Sequence, residues 1–283
     1  MPVSIAASIS VTPLSPVLGG RVEGVDLRRP VDPETARAIR EAFLARQVLC
    51  FPRQRLSADD QIRFCGLFGR ADSDYKRPGG IDSGYSRGVM LVSNVRKDGK
   101  PIGNLPDGDM QFHSDGSHRE CPYRATTLYA IRIPSTGGDT LFANLYAAYD
   151  ALPEATRARI EGLRVRNVYL LDATHRDVMD RTEAERLRSA SHPVARVHGE
   201  TGRKALYVNR LMSREIEGLP PAEGEALLAE LIDVTERPEL IYAHRWTPGD
   251  LLIWDNRCVN HARTDFPADE IRLLRRYTVS EAA

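Results

Sequence analysis

The stretch Gln111-Phe112-His113-Ser114-Asp115-Gly116 decides how the rest of the chain is interpreted, because it contains the pattern His-x-Asp. Residues two apart in an extended segment point to the same face, so an imidazole and a carboxylate would stand side by side. These two groups can hold adjacent positions on a metal ion. A second histidine on the same face would complete the two-His-one-carboxylate set that leaves three positions open on non-haem iron. The interpretation therefore depends on a third ligand elsewhere in the chain.

The candidates for that ligand are the other histidines, and most histidines in a chain of this length have a structural role. His261 differs from the rest because it follows a strand-like run, residues 249–257, that ends in a polar turn. A histidine just beyond such a strand can point into the mouth of a barrel. The nearer alternative is His118, since His113-x-Asp115-x-x-His118 would give a zinc hydrolase its three ligands. His118 lies beside Arg119 and Glu120, however, which favours contact with solvent or substrate.

The composition describes an ordinary globular protein and excludes several classes. The chain has 283 residues, 42% hydrophobic and 28% charged, with 39 basic and 39 acidic residues. This balance gives no global field to attract nucleic acid or an anionic membrane. No apolar run reaches the ~20 residues of a membrane span, and no secretory signal is evident. Four scattered cysteines without a CxxC pair indicate a reduced, cytoplasmic protein with buried thiols.

Many short strands separated by turns, with a few helices, predict a mainly β fold of α+β type: a barrel or sandwich with helices outside. Helices are predicted to begin after Asp32, after Ser57, near Asn144 and Pro153, and at Pro221, with the second ending at Gly69. Strands are predicted at residues 48–51, 89–93, 126–133, 193–197, 204–208, 240–246, 251–254 and 272–279. No linker is apparent, so residues 1–283 are interpreted as a single domain.

Two irregular stretches interrupt this pattern. Residues 72–108 are rich in Gly, Asp, Ser and Pro and lead directly into the His-x-Asp stretch. Long segments of this kind are often active-site covers, and we interpret this one as a cover rather than as a surface loop without a role. Residues 172–191 are polar and charged, with a helix cap signal at Thr182 and Glu185, and predict a helical insertion.

Three arginines near the C-terminus indicate an anion-binding strand. On a strand, Arg272 and Arg276 share one face and Arg275 lies on the other. Two guanidiniums on a buried face would be costly without anions, whereas a solvent-facing strand would carry them freely. The functional interpretation is two carboxylate-binding forks, with the Thr140 hydroxyl as an additional donor.

Together these segments resemble the TauD/TfdA family of Fe(II)- and 2-oxoglutarate-dependent dioxygenases, over nearly the whole chain. The motifs that carry the resemblance occur in the family's order and spacing. They are His113-Ser114-Asp115-Gly116, the turn at residues 134–140, Trp254-Asp255-Asn256-Arg257 with His261, and Arg272-x-x-x-Arg276.

The resemblance implies a double-stranded β-helix, or jelly-roll barrel, with helices packed outside. It implies His113, Asp115 and His261 as the catalytic iron ligands, with Thr140 and Arg272 at the distal carboxylate of 2-oxoglutarate. Arg276 matches a position that binds the acid group of acidic substrates. The implied chemistry consumes O2 and 2-oxoglutarate at Fe(II), hydroxylates an unactivated C–H bond, and releases succinate and CO2.

Departures from the family pattern bear on the substrate. Phe112 stands where the family often has Trp, and Asp72 and Asp74 stand where taurine dioxygenases carry a sulfonate-binding histidine. A carboxylate repels a sulfonate, so taurine is disfavoured as the substrate. Asp74 and His118 are assigned to the substrate pocket.

A small carboxylate substrate of the aryloxyalkanoate kind, cleaved at its C–O bond where the geometry allows, ranks first. Alkyl sulfonates or sulfate esters rank second. A zinc-dependent hydrolase and a non-catalytic binding jelly roll are the alternatives from other classes. A homo-oligomer is compatible with exposed outer helices.

Overall fold

Short strands joined by turns dominate the computed structural model, which describes residues 9–72, 90–103, 108–169 and 189–280. The strands are β1 (Ser10–Pro13), β2 (Gly20–Glu23), β3 (Val48–Phe51), β4 (Arg70–Ala71), β5 (Met90–Ser93), β6 (Arg96–Lys97), β7 (Lys100–Pro101), β8 (Met110–His113), β9 (Ala125–Arg132), β10 (Thr140–Asn144), β11 (Arg164–Val168), β12 (Ser189–Pro193), β13 (Ala195–Val197), β14 (Lys204–Leu206), β15 (Ser213–Ile216), β16 (Ile241–His244), β17 (Leu251–Asp255), β18 (Val259–Arg263) and β19 (Leu273–Ser280). The helices are α1 (Pro33–Arg46), α2 (Ala58–Cys65), α3 (Leu145–Asp150), α4 (Glu154–Ile160) and α5 (Pro221–Thr235).

The first two helices begin where local hydrogen bonding predicts. The Asp32 carboxylate accepts from the backbone N–H groups of Glu34 and Thr35, which have no partner inside the first turn of a helix. Ser57 and Asp60 form a reciprocal capping box at the start of α2. The predicted end of α2 at Gly69 was wrong, because the helix ends at Cys65 and a tight turn follows.

A large sheet forms the centre of the molecule, with the strand order β1-β2-β3-β17-β9-β19-β4 and with β5 also paired to β19. Side chains of β17 alternate strictly between its two faces. Leu251 and Ile253 join a core cluster with the helices α1 and α2, whereas Leu252 and Trp254 join a second cluster on the opposite face. Both faces of this sheet are therefore buried.

The second cluster lies between the large sheet and a four-stranded sheet of order β16-β10-β18-β8. It combines Phe142 and Val259 from the small sheet with Leu128, Leu252 and Trp254 from the large one. All the pairings inside the small sheet are antiparallel. The two sheets thus pack face to face, and the inward-facing side chains of both sheets fill the space between them.

A third cluster packs α3, α4 and α5 against β11, β14 and β15 at one end of the molecule. The predicted helical insertion at residues 172–191 follows β11 in the sequence. Residues 189–191 are wrongly included in it, because they belong to strand β12, which pairs with β11. The remainder of that stretch lies outside the described residues, as do residues 73–89 and 104–107 of the predicted cover.

The described part of the predicted cover includes β5, which confirms the strand expected near residue 90 and pairs with β19. The fold is mainly β with few helices, as the sequence predicted. Among the described residues, no helix has both the length and the apolar character that a bilayer crossing requires.

Candidate metal centre

Pairing of two strands of the small sheet brings the two predicted histidine ligands together. His113, the last residue of β8, lies opposite His261 in β18. Their ring centroids are 4.1 Å apart. Asp115 completes the group: its Oδ1 is 3.7 Å from His113 Nε2, and its Oδ2 is 3.8 Å from His261 Nε2. The three residues form a buried set whose ligand atoms all lie within 4.8 Å of one another, although His113 and His261 are 148 positions apart in the sequence.

The local route to this geometry differs from the prediction. His113 ends a strand, but Asp115 lies in a turn, so the two side chains do not meet by extended alternation. Gly116 closes the turn with a φ of +77°, and a Cβ there would lie 2.9 Å from the ring of Tyr123. Only glycine meets both conditions without strain. His261 was expected just beyond a strand end, and it lies inside β18 instead.

The protonation of His113 suits a metal ligand. Its Nδ1 lies 2.9 Å from the carbonyl oxygen of Gln111, which can only accept, so Nδ1 carries the hydrogen. Nε2 then keeps a lone pair directed towards Asp115 and His261. The His261 ring is positioned by packing, since it contacts the Trp254 ring at a centroid distance of 4.6 Å.

Electrostatics keep the three groups in their metal-binding protonation states. Burial lowers the pKa of His113, and burial together with the neighbouring His113 lowers the pKa of His261 further. Burial opposes ionisation of Asp115, but the positive charge of Arg276 and a hydrogen bond from Thr126 outweigh it and hold the pKa of Asp115 well below its usual range. Neutral imidazoles and an ionised carboxylate are the forms that bind a cation.

The donor set matches Fe(II) in a non-haem site better than the predicted zinc alternative. Two imidazoles and one carboxylate on one side of a centre are the facial triad of Fe(II) oxygenases. His118 belongs to none of the three groups of potential metal ligands among the described residues; its ring packs 4.5 Å from that of Tyr169. The other two groups, around Asp250 and around Asp255, are already bonded internally, with Asp255 paired to Arg257.

The residues predicted to grip 2-oxoglutarate meet at the turn before β10. Arg272 is 1% exposed, and its Nε donates to the carbonyl of Gly138. Gly138 has a φ of +67°, and a Cβ there would lie 3.1 Å from Arg272 Nε, so this turn requires glycine. Thr140 starts β10 two residues later and is also buried.

The hydrogen-bond donors of Arg272 and Thr140 indicate a buried site for an anion. Nη1 of Arg272 has no hydrogen-bond partner within the described parts of the chain, although the side chain is almost fully buried. Burial and the nearby Arg263 lower the pKa of Arg272 to about 9, so the guanidinium is still charged at neutral pH. Trp246 Nε1 donates to Thr140 Oγ1 at 2.9 Å, so the hydroxyl hydrogen of Thr140 points away from Trp246 and can be donated to another acceptor. A carboxylate would satisfy both donors.

The C-terminal strand places the three arginines as the alternation predicts. Arg276 points between the sheets, where its Nη2 lies 2.6 Å from Asp115 Oδ1. Arg275 points to the other face and donates to Gln61 Oε1 and to the carbonyls of Leu56 and Ser57. The solvent-facing alternative is wrong, because Arg272 and Arg275 are buried and the Arg276 side chain is 19% exposed. The assignments of His118, Asp74 and Arg276 to substrate stay predictions, and Asp74 lies outside the described residues.

Sequence reasoning missed four polar residues around the centre: Ser114, Thr126, Trp246 and Asn256. Asn256 stood inside a recognised motif, and its polar type beside a buried Trp was the available signal. Trp246 lay in a run, residues 242–246, that resembles the aryloxyalkanoate-cleaving branch of the family, but its contact with Thr140 was not predicted. Thr126 had no signal, since Thr is common in strands and its contacts arise from distant segments. Thr126 Oγ1 donates to Asp115 Oδ2 at 2.6 Å across 11 positions of sequence.

Known proteins resemble this chain over nearly its whole length. Residues 10–278 match the family model described as taurine catabolism dioxygenase TauD, TfdA family. The chain is 36% identical to an alpha-ketoglutarate-dependent 2,4-dichlorophenoxyacetate dioxygenase of Cupriavidus pinatubonensis, over 98% of this chain and 99% of the relative. It is 31% identical to an (S)-phenoxypropionate/alpha-ketoglutarate-dioxygenase of Sphingobium herbicidovorans, over 95% and 94%.

A solved structure confirms that the similarity extends to the fold. The crystal structure of AAD-2 in complex with Mn(II) and N-oxalylglycine has a TM-score of 0.81 and 29% identity, and the match covers 98% of both chains. Alpha-ketoglutarate is the older name of 2-oxoglutarate, so the names of these relatives specify the co-substrate that the sequence predicted. The chain therefore belongs to the TauD/TfdA family of 2-oxoglutarate-dependent dioxygenases, which use Fe(II), 2-oxoglutarate and O2.

Proposed function

We propose that this enzyme hydroxylates a small aryloxyalkanoate at the carbon next to its ether oxygen and so cleaves the C–O bond. With phenoxyacetate, 2-oxoglutarate is oxidised to succinate and CO2, so that one oxygen atom of O2 enters succinate and the other enters the substrate as a hydroxyl group. The hydroxylated product is a hemiacetal, which expels phenol and leaves glyoxylate. The two relatives named above act on substrates of this class by their printed names, which supports the choice over taurine.

The observation that carries the proposal is the position of Arg276. Its guanidinium lies beside a metal ligand and is flanked by Met90, whose sulfur is 3.0 Å from Nη1. A thioether is a weak acceptor, so Nη1 can exchange this contact for a carboxylate at little cost. A substrate acid held there would place its α-carbon close to the ligand set.

The residues of the chain divide the remaining work. When bound, Fe(II) with 2-oxoglutarate and O2 supplies the oxidising chemistry, and the protein supplies orientation and order. His113, Asp115 and His261 hold the metal on one side only. Arg272 and Thr140 hold the distal carboxylate of the co-substrate. Burial of all five groups keeps water away from them.

The finer points of the architecture belong to the same proposal. The two packed sheets are the two halves of a double-stranded β-helix, and residues 1–283 form one domain. Support comes from the family match over residues 10–278 and from the core shared by the sheets. The predicted cover at residues 72–108 includes residues 73–89 and 104–107, which lie outside the described residues. A cytoplasmic location and a homo-oligomer stay predictions; all four cysteines are free, and three of them are buried.

The test is product analysis with Fe(II), 2-oxoglutarate and O2. Phenoxyacetate, an alkyl sulfate and taurine are supplied separately, and succinate is measured together with phenol, aldehyde and sulfite. We expect equimolar succinate and phenol with phenoxyacetate. Phenol without succinate would support a hydrolase instead. Succinate coupled to aldehyde from the sulfate ester, with no phenol from phenoxyacetate, would assign the sulfate-ester function.

Arg276→Gln provides the residue-level test. A hydrogen bond to a charged group is worth ~1.5–3 kcal/mol, so KM for phenoxyacetate should rise roughly 10- to 100-fold. The visible charge-transfer band of the anaerobic Fe(II) and 2-oxoglutarate complex should be retained. Arg275→Gln is the matched control, because that side chain faces α2 on the other side of the sheet. Equal KM values in the two variants would reject the assigned role of Arg276.

A further inference from the structure

A continuous chain of hydrogen bonds runs from the large sheet to the carboxylate of the metal ligand. Trp254 Nε1 donates to Asn256 Oδ1 at 3.0 Å, and Asn256 Nδ2 donates to Thr126 Oγ1 at 3.0 Å. Thr126 Oγ1 then donates to Asp115 Oδ2 at 2.6 Å. Neither the motif nor the family match assigns a role to these three donors.

The direction of the chain is fixed by chemistry at both ends. An indole N–H can only donate, so it orients the amide of Asn256 with its oxygen towards Trp254. The amide nitrogen must then face Thr126 and donate. The Thr126 hydroxyl has one hydrogen, and its oxygen already accepts from Asn256, so that hydrogen goes to Asp115. The carboxylate can only accept, which ends the chain.

Burial makes each link strong. Trp254, Thr126 and Asn256 are each 0% exposed, and Asp115 is 5% exposed. Hydrogen bonds gain strength in such surroundings, and a broken link leaves a buried polar group without a partner. Each link therefore restricts the rotation of the next side chain.

The series of hydrogen bonds contacts proposed metal ligands at its start and at its end. Trp254, where it begins, packs its ring against the imidazole of His261. The backbone carbonyl of Asn256 also accepts from Ser114 Oγ, which ties down the turn between His113 and Asp115. The three donors thus contact His261, Asp115 and the turn that joins His113 to Asp115.

We propose that Thr126, Asn256 and Trp254 are positioning residues that hold Asp115 in its metal-binding orientation before the metal arrives. The inference rests on the assignment of His113, Asp115 and His261 as ligands. Such outer partners typically change metal affinity by 10- to 100-fold when they are removed. They act through Asp115 and do not touch the metal themselves.

Thr127 offers a matched control in the next position of the same strand. Like Thr126 it is 0% exposed, but its hydroxyl donates to the Tyr277 carbonyl and accepts from Gln61 Nε2 on the opposite face. Thr126→Val and Thr127→Val therefore delete the same buried hydroxyl from the same strand. Both should lower thermal stability, and only the first should affect the metal.

The experiment is a Co(II) titration of the metal-free full-length protein, followed by the visible d–d absorption. Thr126→Val should weaken Co(II) binding 10- to 100-fold, Thr127→Val should change it less than threefold, and Thr126→Ser should restore most of the loss. Equal affinities for the two valine variants would overturn the proposal, as would a serine variant as weak as Thr126→Val.

Two further outcomes are informative. If Thr126→Val fails to fold, Trp254→Phe decides: it removes the indole N–H, keeps an aromatic ring beside His261, and should weaken Co(II) binding three- to tenfold, and an unchanged affinity would overturn the proposal. If the unaltered protein binds no Co(II), the ligand assignment itself fails, and with it the proposed function. If the unaltered protein binds Co(II) and the variants bind it equally well, only the positioning role is rejected, and the ligand assignment stands.

Discussion

Replacing Arg272 by methionine should make the ligand-free protein more stable and at the same time abolish tight binding of 2-oxoglutarate. The side chain is 1% exposed, and its charge is paired with no carboxylate in the described part of the structure. Replacing a buried charge of this kind by an apolar side chain of similar volume is often stabilising by ~1–4 kcal/mol.

The magnitude follows from the position of the charge. A fall of the Arg272 pKa from 12.5 to about 9 corresponds to at most ~5 kcal/mol of cost to the charged form. The variant loses the hydrogen bond from Nε to the Gly138 carbonyl, worth ~1.5–3 kcal/mol. A net gain of about 2 kcal/mol in the free energy of unfolding is therefore expected. In the proposed complex the same charge pairs with the distal carboxylate of 2-oxoglutarate. Losing a buried partner costs ~3–5 kcal/mol, so the affinity should fall more than a hundredfold.

Urea unfolding of the metal-free protein measures the first effect, and anaerobic calorimetric titration of the Fe(II) form with 2-oxoglutarate measures the second. Arg275→Met is the control: this arginine is also buried but donates to Gln61 and two backbone carbonyls, so its loss should destabilise the protein and spare 2-oxoglutarate binding. The reasoning is refuted if Arg272→Met destabilises the ligand-free protein as much as Arg275→Met does.

Three further predictions concern the surroundings of the site. His118→Ala should leave the Co(II) affinity within twofold, since His118 is not in the ligand group; a large loss in a metal titration would revive the zinc alternative. Trp246→Phe removes the donor to Thr140 and should weaken 2-oxoglutarate binding three- to tenfold, for a bond worth ~0.5–1.5 kcal/mol; an unchanged dissociation constant would contradict this. Burial opposes ionisation of Asp255, but Arg257 and His198 outweigh it and lower its pKa to about 2, below the ordinary 3.8. The folded state therefore binds this proton less readily, so this group's contribution of ~2 kcal/mol is complete above about pH 4 and is lost as the pH falls towards about 2. Asp255→Asn should flatten that part of the pH dependence of urea unfolding, and an unaltered slope would exclude Asp255 as its source.

The chemistry of the centre was accessible from the sequence because it depends on residue types in fixed local patterns. His113, Asp115 and His261 were predicted as ligands from the family resemblance, and the structure brings the three side chains together. The helix starts at Asp32 and Ser57 were predicted correctly, since caps are local. Strand alternation also placed Arg275 opposite Arg276 correctly, because the period of a strand does not depend on its neighbours.

Only the tertiary structure decided which distant groups touch. The turn that carries Asp115, the packing of Trp246 on Thr140 and the links from Trp254 to Thr126 all depend on strand register between segments far apart in the chain. A one-residue change of register reverses every side chain of a strand, and no local pattern reports such a register. The sequence alone therefore predicted which groups bind the metal and the co-substrate, and the folded sheets determined which other groups contact them.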